Sequence, residues 1–306
     1  MTPGYRALRE SAAWLGLAGR GKIVARGQDR ARLLHAMTTN HVEQLAPGGG
    51  CYAFFLDAQG HILGDVNLFA FEDHHLLDTE PETAVKLRDH LDRYIIADDV
   101  TLEDQTPSVT TFALEGPGAS ELLGSLGAAV AEPPYSHAPW GARTVARITP
   151  ALLFVFAPSS EREMLIAEFE SAGAIAAIAE DALAVRLEQG RPRYGDDITE
   201  SHLPQETQAL HAVHFNKGCY LGQEIVERVR SRGHVNRLLV RLSMDGPPPA
   251  RGAHVEGGTI MSAAFSPALG RVIAFAYLRA GSARPGSKLV VEGREAEVLP
   301  AGPVGG

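Results

Sequence analysis

One stretch of the chain combines a thiol, a cation and two flexible backbone positions: Lys217-Gly218-Cys219-Tyr220-Leu221-Gly222-Gln223-Glu224. A cysteine at the start of a helix and next to a lysine has its thiolate stabilised by unpaired backbone N–H groups and by the ammonium. Its pKa is therefore expected to fall below the free value. Gly218 and Gly222 let the backbone turn sharply and approach a ligand closely, where a Cβ would intervene. Glu224, in the first turn of the predicted helix 221–230, works partly against ionisation of the sulfur. The chemistry indicated is that of a reactive thiol; the alternative is a tight turn with Cys219 as a small buried hydrophobe. Cys51, in the run Cys51-Tyr52-Ala53-Phe54, is expected to be buried.

Other groups are fewer. Asp65, in Gly60-His61-Ile62-Leu63-Gly64-Asp65, is a lone carboxylate on a predicted strand; it can hydrogen-bond or polarise an amine, or simply face solvent. His211, His214 and Cys219 are zinc-ligand types, but no fourth ligand is evident and a metal is not expected. The formal net charge of -9 speaks against general nucleic-acid binding. From Lys217 to Arg241, however, six basic residues stand against two acidic ones, an excess suited to an anionic ligand or partner. No Walker or G-x-G-x-x-G pattern follows a strand, so a nucleotide cofactor is not expected.

The elements that must position these groups are mixed α and β. The spacing predicts a helix over 30–35, strands over 52–56, 62–71 and 75–78 with a hairpin turn at 57–60, and a helix over 81–95 capped by Thr79. A strand over 109–114 and a helix from Gly116 to Leu126 follow, then paired strands over 144–148 and 152–157, helices over 161–171 and 181–189, and a strand over 238–244. Pro247-Pro248-Pro249 can neither continue a helix nor donate ladder bonds, so it marks a boundary. Short strands beyond it suggest a small barrel. At 306 residues, with 45% apolar and 21% charged, the chain can hold two or three compact units. Two distant cysteines without a CxxC pair, no secretory leader and no long apolar stretch lead to the expectation of a cytoplasmic protein with no membrane span.

The motif and its surroundings resemble a known family. Arg186-Leu187-Glu188-Gln189-Gly190, Tyr194-Gly195-Asp196-Asp197-Ile198, Leu203-Pro204-Gln205-Glu206 and the K-G-C-Y-x-G-Q-E string are similar to the YgfZ-type folate-binding proteins, relatives of the glycine-cleavage T-protein. Weaker echoes lie at Gly27 to Asp29, Leu33 to Asn40, Gly60 to Asp65 and Leu269 to Tyr277. The resemblance implies an α+β fold of two interleaved, ferredoxin-like-type folate-binding units over 1–244, the second at about 109–180, plus a small C-terminal β-barrel over 250–306. It implies tetrahydrofolate, or a one-carbon derivative, as cofactor. Arg186, Tyr194, Asn40, Arg228 and Asp65 are its implied contacts, with Cys219 and Lys217 as the functional pair and Gly218, Tyr220, Gly222, Gln223 and Glu224 completing the motif. The implied role is a monomeric accessory protein of iron-sulfur cluster assembly or repair, and through such enzymes tRNA modification, with iron-sulfur proteins or their assembly factors as partners. The alternative is a folate-dependent aminomethyltransferase. Against it, the G-Y-T-G-E-D-G-F-E segment of those enzymes is replaced by Ile148 to Phe156, and Gly64 stands where the first residue of an Asp-Asp pair is expected.

Overall fold

The computed structural model describes residues 1–233 and 235–300. Its elements run α1 (Pro3–Glu10), β1 (Ala13–Gly16), β2 (Gly21–Arg26), α2 (Arg30–Met37), β3 (Gly50–Leu56), β4 (Ile62–Ala70), β5 (His74–Thr79), α3 (Ala84–Asp92), β6 (Thr101–Asp104) and β7 (Val109–Glu115). They continue α4 (Ala119–Ser125), β8 (His137–Trp140), β9 (Arg143–Thr149), β10 (Leu152–Pro158), α5 (Arg162–Ser171), β11 (Ile175–Ala176), α6 (Ala179–Glu188) and α7 (Gln223–Arg232), then β12 (Arg237–Met244), β13 (His254–Val255), β14 (Gly258–Ser266), β15 (Arg271–Arg279), β16 (Lys288–Val291) and β17 (Arg294–Val298).

Two sheets lie face to face. The first has the order β3-β4-β5-β2-β6 and the second β11-β1-β7-β10-β9-β8. The chain crosses between them early: β1 pairs with β7 in the second sheet, and β2, five residues later, pairs with β5 in the first. That crossover is the interleaving. Alternation along the strands explains the layers, because successive side chains point to opposite faces. Val66 and Leu68 of β4 pack with Leu33, Leu34 and Met37 of α2 and Leu87 and Leu91 of α3. Phe69, with Val24 and Leu76, meets Ala113, Phe154 and Phe156 of the second sheet. The outer face of that sheet is covered by Leu122 and Leu123 of α4 and by Leu165 and Phe169 of α5.

A closed barrel of β12-β15-β14-β13-β16-β17 completes the fold. It begins earlier than the proline boundary suggests: β12 lies ahead of Pro247 to Pro249 and pairs with both β15 and β17. Strand pairing, and not the turn, decides which sheet β12 joins. Residues 301–306 of the expected barrel segment lie outside the described residues. Thr79 is not a helix cap either. It ends β5, where its hydroxyl donates to Asp65 O at 2.6 Å, and α3 starts later, at Ala84. Leu239, Ile273, Phe275 and Tyr277 on the outside of the barrel pack with Leu187 of α6.

Candidate functional site around Asp65 and the Cys219 turn

Asp65 and Asn67 share the face of β4 that meets the second sheet, and Lys22 of β2 and Asp78 of β5 lie opposite each other in the same sheet. The result is a polar stripe buried between two sheets. Asp78 is fully buried and takes both Arg20 (Nη2 to Oδ2, 2.6 Å) and Lys22 (2.7 Å), with Asn67 Nδ2 at 2.9 Å. Burial raises its carboxyl, but Arg20 and Lys22 outweigh that and hold it at about 2. Glu80 receives Arg20 at 2.6 Å and Arg193 at 2.7 Å.

Asp65 has a different environment. It is 7% exposed, and its carboxylate accepts from the Tyr52 hydroxyl at 2.7 Å. Burial and then the charge of Glu80 push it up to about 7, against the Tyr52 hydrogen bond and Arg20. A carboxyl poised near neutrality beside one that stays ionised is the arrangement that gives or takes a proton at neutral pH. The Tyr52 ring stacks between His211 (5.3 Å, 22° between planes) and Tyr135 (6.3 Å, 18°).

Of the residues expected to contact folate, three gather here in structural roles. Asn40 donates its amide to Tyr52 O (2.9 Å) and His211 O (3.0 Å), fixing the strand that carries Tyr52. Tyr194 donates to Leu63 O at 2.8 Å, two residues from Asp65. Arg186 is paired with the fully buried Asp197 and with Asp196 at 3.4 Å. Asp196 also takes Arg193 at 3.2 Å, so a chain of ion pairs links Arg186 to Glu80. Arg228 is exposed on α7, apart from this network. Sequence reasoning missed Arg20, Lys22, Asp78, Glu80, Arg193, Tyr52 and Tyr135. The i, i+2 spacing of Arg20 with Lys22 and of Asp78 with Glu80 was a usable signal, since in extended backbone at a strand end it puts two like charges on one side.

Gly64 faces the other way. A Cβ there would meet the Leu87 side chain of α3 at 3.0 Å, so a carboxylate at this position would have to displace Leu87. Gly64→Asp would force an unpaired charge against the apolar face of α3 that carries Leu87 and Leu91. It is expected to destabilise the fold by at least roughly 2 kcal/mol, read as a lower midpoint in urea with an unchanged slope.

The Cys219 turn is hung on α2. Leu221 N donates to Ala36 O (3.0 Å) and His214 N to Thr39 O (2.9 Å). The Lys217 ammonium is taken by backbone carbonyls and makes no hydrogen bond to Cys219 among the described residues. Buried, it donates to His35 O and to Thr38 O (2.6 Å) at the C-terminal end of α2, where a cation suits the helix dipole, and lies 4.7 Å from the centroid of the Tyr220 ring. Burial pushes Lys217 down to about 8. Nor does Cys219 stand on the helix terminus, since α7 begins only at Gln223, with Gly222 as its N-cap. Gly222 is required by close approach: it has φ 82°, and a Cβ there would come within 2.6 Å of Asp57 O. Gln223 reaches back to accept from Tyr220 N at 3.3 Å, Gly218 has φ 97°, and Glu224 is exposed in the first helical turn. Cys219 is exposed and Cys51 buried, with the Cys51 thiol pushed by burial up to about 12.

The basic excess seen in the sequence is largely absorbed. Lys217 is buried, Arg237 pairs with Glu206 at 2.9 Å, and Arg241 donates to Glu188 O (2.5 Å) and Pro300 O (2.9 Å). Arg230 lies over Phe215 and beside Glu227. Among the described residues no three His, Cys, Asp or Glu side chains come together as a metal-ligand set. No hydrogen bond or ion pair among the described residues joins Cys219 or Lys217 to Asp65. The Ile148 to Phe156 region is a tight β9–β10 hairpin turning at Pro150-Ala151, with a register shift between Leu152 and Leu153.

Two face-to-face sheets with outer helices, an inter-sheet carboxyl network and an appended closed barrel define an α+β protein with the architecture of the glycine-cleavage T-protein fold. The chain belongs to the glycine cleavage T-protein family: residues 2–154 match the GCVT N-terminal domain and residues 237–305 the glycine cleavage T-protein C-terminal barrel domain. The fold is shared with the glycine cleavage system aminomethyltransferase T from Bartonella henselae, with a TM-score of 0.89 over 97% of this chain and 87% of that one at 19% identity. An aminomethyltransferase of Rubrobacter xylanophilus is 29% identical over 291 residues, covering 90% of this chain and 78% of that protein. A putative chloroplastic transferase of Arabidopsis thaliana is 27% identical over 241 residues, which span 74% of this chain but only 55% of that protein. Among the described residues no helix is long and apolar enough to cross a membrane.

Proposed function

We propose that this chain binds tetrahydrofolate, or a one-carbon derivative of it, with the folate amines facing Asp65, and that it acts as an accessory protein of iron-sulfur cluster assembly or repair through Cys219. The observation that carries folate binding is Asp65 itself, a buried carboxyl held by Tyr52 and poised near neutrality in a family of folate proteins. The accessory reading is supported by the exposed Cys219 on a turn that the fold takes trouble to fix, and by a single carboxylate where the resemblance expects two. In this reading the protein is a cytoplasmic monomer whose partners are iron-sulfur proteins or their assembly factors.

The names of the relatives favour a second reading, aminomethyl transfer. The two are separated by one assay. Given a protein-bound aminomethyl donor and tetrahydrofolate, the purified chain is expected to release ammonia orders of magnitude more slowly than an aminomethyltransferase, because loss of an orienting carboxylate costs rate of that order. Turnover at the enzyme's rate would establish the second reading and overturn the first.

A further inference from the structure

His35 and Lys217, 182 positions apart, exchange hydrogen bonds in both directions. Lys217 Nζ donates to His35 O, and His35 Nε2 lies 2.9 Å from Lys217 O. The tautomer follows from the other ring nitrogen. Nδ1 faces the N–H of Val42 at 3.3 Å and accepts from it, so the proton is on Nε2, which donates to the Lys217 carbonyl. Both residues are buried, so an unmade partner on either side would be costly.

We propose that this reciprocal pair is a latch that holds the Cys219 turn on the end of α2, which makes His35 and Lys217 positioning residues for the thiol. The proposal rests on the reading of Cys219 as the functional group. The same latch ties the turn to the segment 38–41, where Thr39 bridges Phe54 N (2.9 Å) and Ala212 O (2.6 Å) and Asn40 holds Tyr52 O. The turn and the strand that carries Tyr52 are therefore referenced to one short stretch of backbone. The Nδ1 side of the ring is closed by backbone, with Val42 N–H at 3.3 Å and Glu43 N at 3.5 Å, so the latch fixes the ring in one orientation and one tautomer.

The test is amide exchange of Leu221, whose N–H reports docking of the turn on Ala36, measured in the full chain beside the rate at which iodoacetamide alkylates Cys219. His35→Leu and Lys217→Met are each expected to lower Leu221 protection on the order of tenfold, about the worth of one buried hydrogen bond, and to change the alkylation rate. His35→Gln keeps a donor near the Nε2 position, so it should retain parental protection and parental alkylation. If both deletions fold and leave Leu221 protection and Cys219 alkylation at the parental values, or if His35→Gln is no better protected than His35→Leu, the latch is overturned. Should a deletion variant fail to fold, the comparison of His35→Gln with the parent decides alone. None of these readouts depends on folate or on an iron-sulfur client, so the latch and the functional reading fail separately.

Discussion

Saturating tetrahydrofolate is expected to raise the melting temperature of the parent protein by several degrees and to leave that of Asp65→Asn almost unmoved. At about 100 times the dissociation constant, a ligand that binds only the native state adds about 2.7 kcal/mol, and in a chain of this size each kcal/mol shifts the transition by roughly 2–4 °C. Asn is nearly isosteric with Asp and keeps a partner for the Tyr52 hydroxyl, so the packing at Asp65 should survive the change. The same substitution has a signature without ligand. A carboxyl raised to about 7 in the folded chain holds a proton that the unfolded chain releases near 4, so its stabilisation is present below pH 4 and is lost as pH rises through 7. Asp78 runs the other way, contributing above about 4 and losing its contribution as pH falls to 2. Between pH 4 and 7 the parent should therefore lose stability relative to Asp65→Asn, by on the order of a few kcal/mol. Parallel pH profiles would show that Asp65 is not the perturbed group, and an unmoved melting curve with no heat of binding in the parent would remove the folate reading.

The second large effect is expected at Cys219. Cys219→Ser preserves size and removes the soft, ionisable sulfur. Folding and the folate shift should be retained, while iron-sulfur enzyme activity in a deficient cell fails to recover. In the native parent, alkylation should label Cys219 and spare Cys51, since the one thiol is exposed and the other is buried and raised to about 12. Full complementation by Cys219→Ser would make the cysteine a structural residue and leave the accessory role without its central group.

How far each part was legible follows from the range of the interactions involved. The alternation along 62–71 and the 3.6 spacing of Leu87 and Leu91 were visible because strand and helix period are local, and they became β4 and α3. The barrel was legible for the same reason, from short strands separated by Gly and Pro turns. That the strand expected over 238–244 belongs to it was not, because the membership of β12 is decided by pairing with β15 and β17 and not by the prolines that follow it. The crossover of β1 into the second sheet was equally hidden, being a choice between two partners that no local pattern expresses.

The site divides along the same line. The sequence by itself determined that Cys219 sits on a glycine-bounded turn and that Asp65 is a lone carboxylate after Gly64, because residue identity and the φ freedom of glycine are properties of single positions. Only the tertiary structure decided where the charges go. Lys217 stands two residues from Cys219 in the chain, yet its ammonium is taken by two carbonyls of the α2 end, and Arg186 is taken by Asp197. A long cationic side chain buried at such a place must satisfy its donors there, and the partner that desolvation forces on it lies 179 residues away as readily as two.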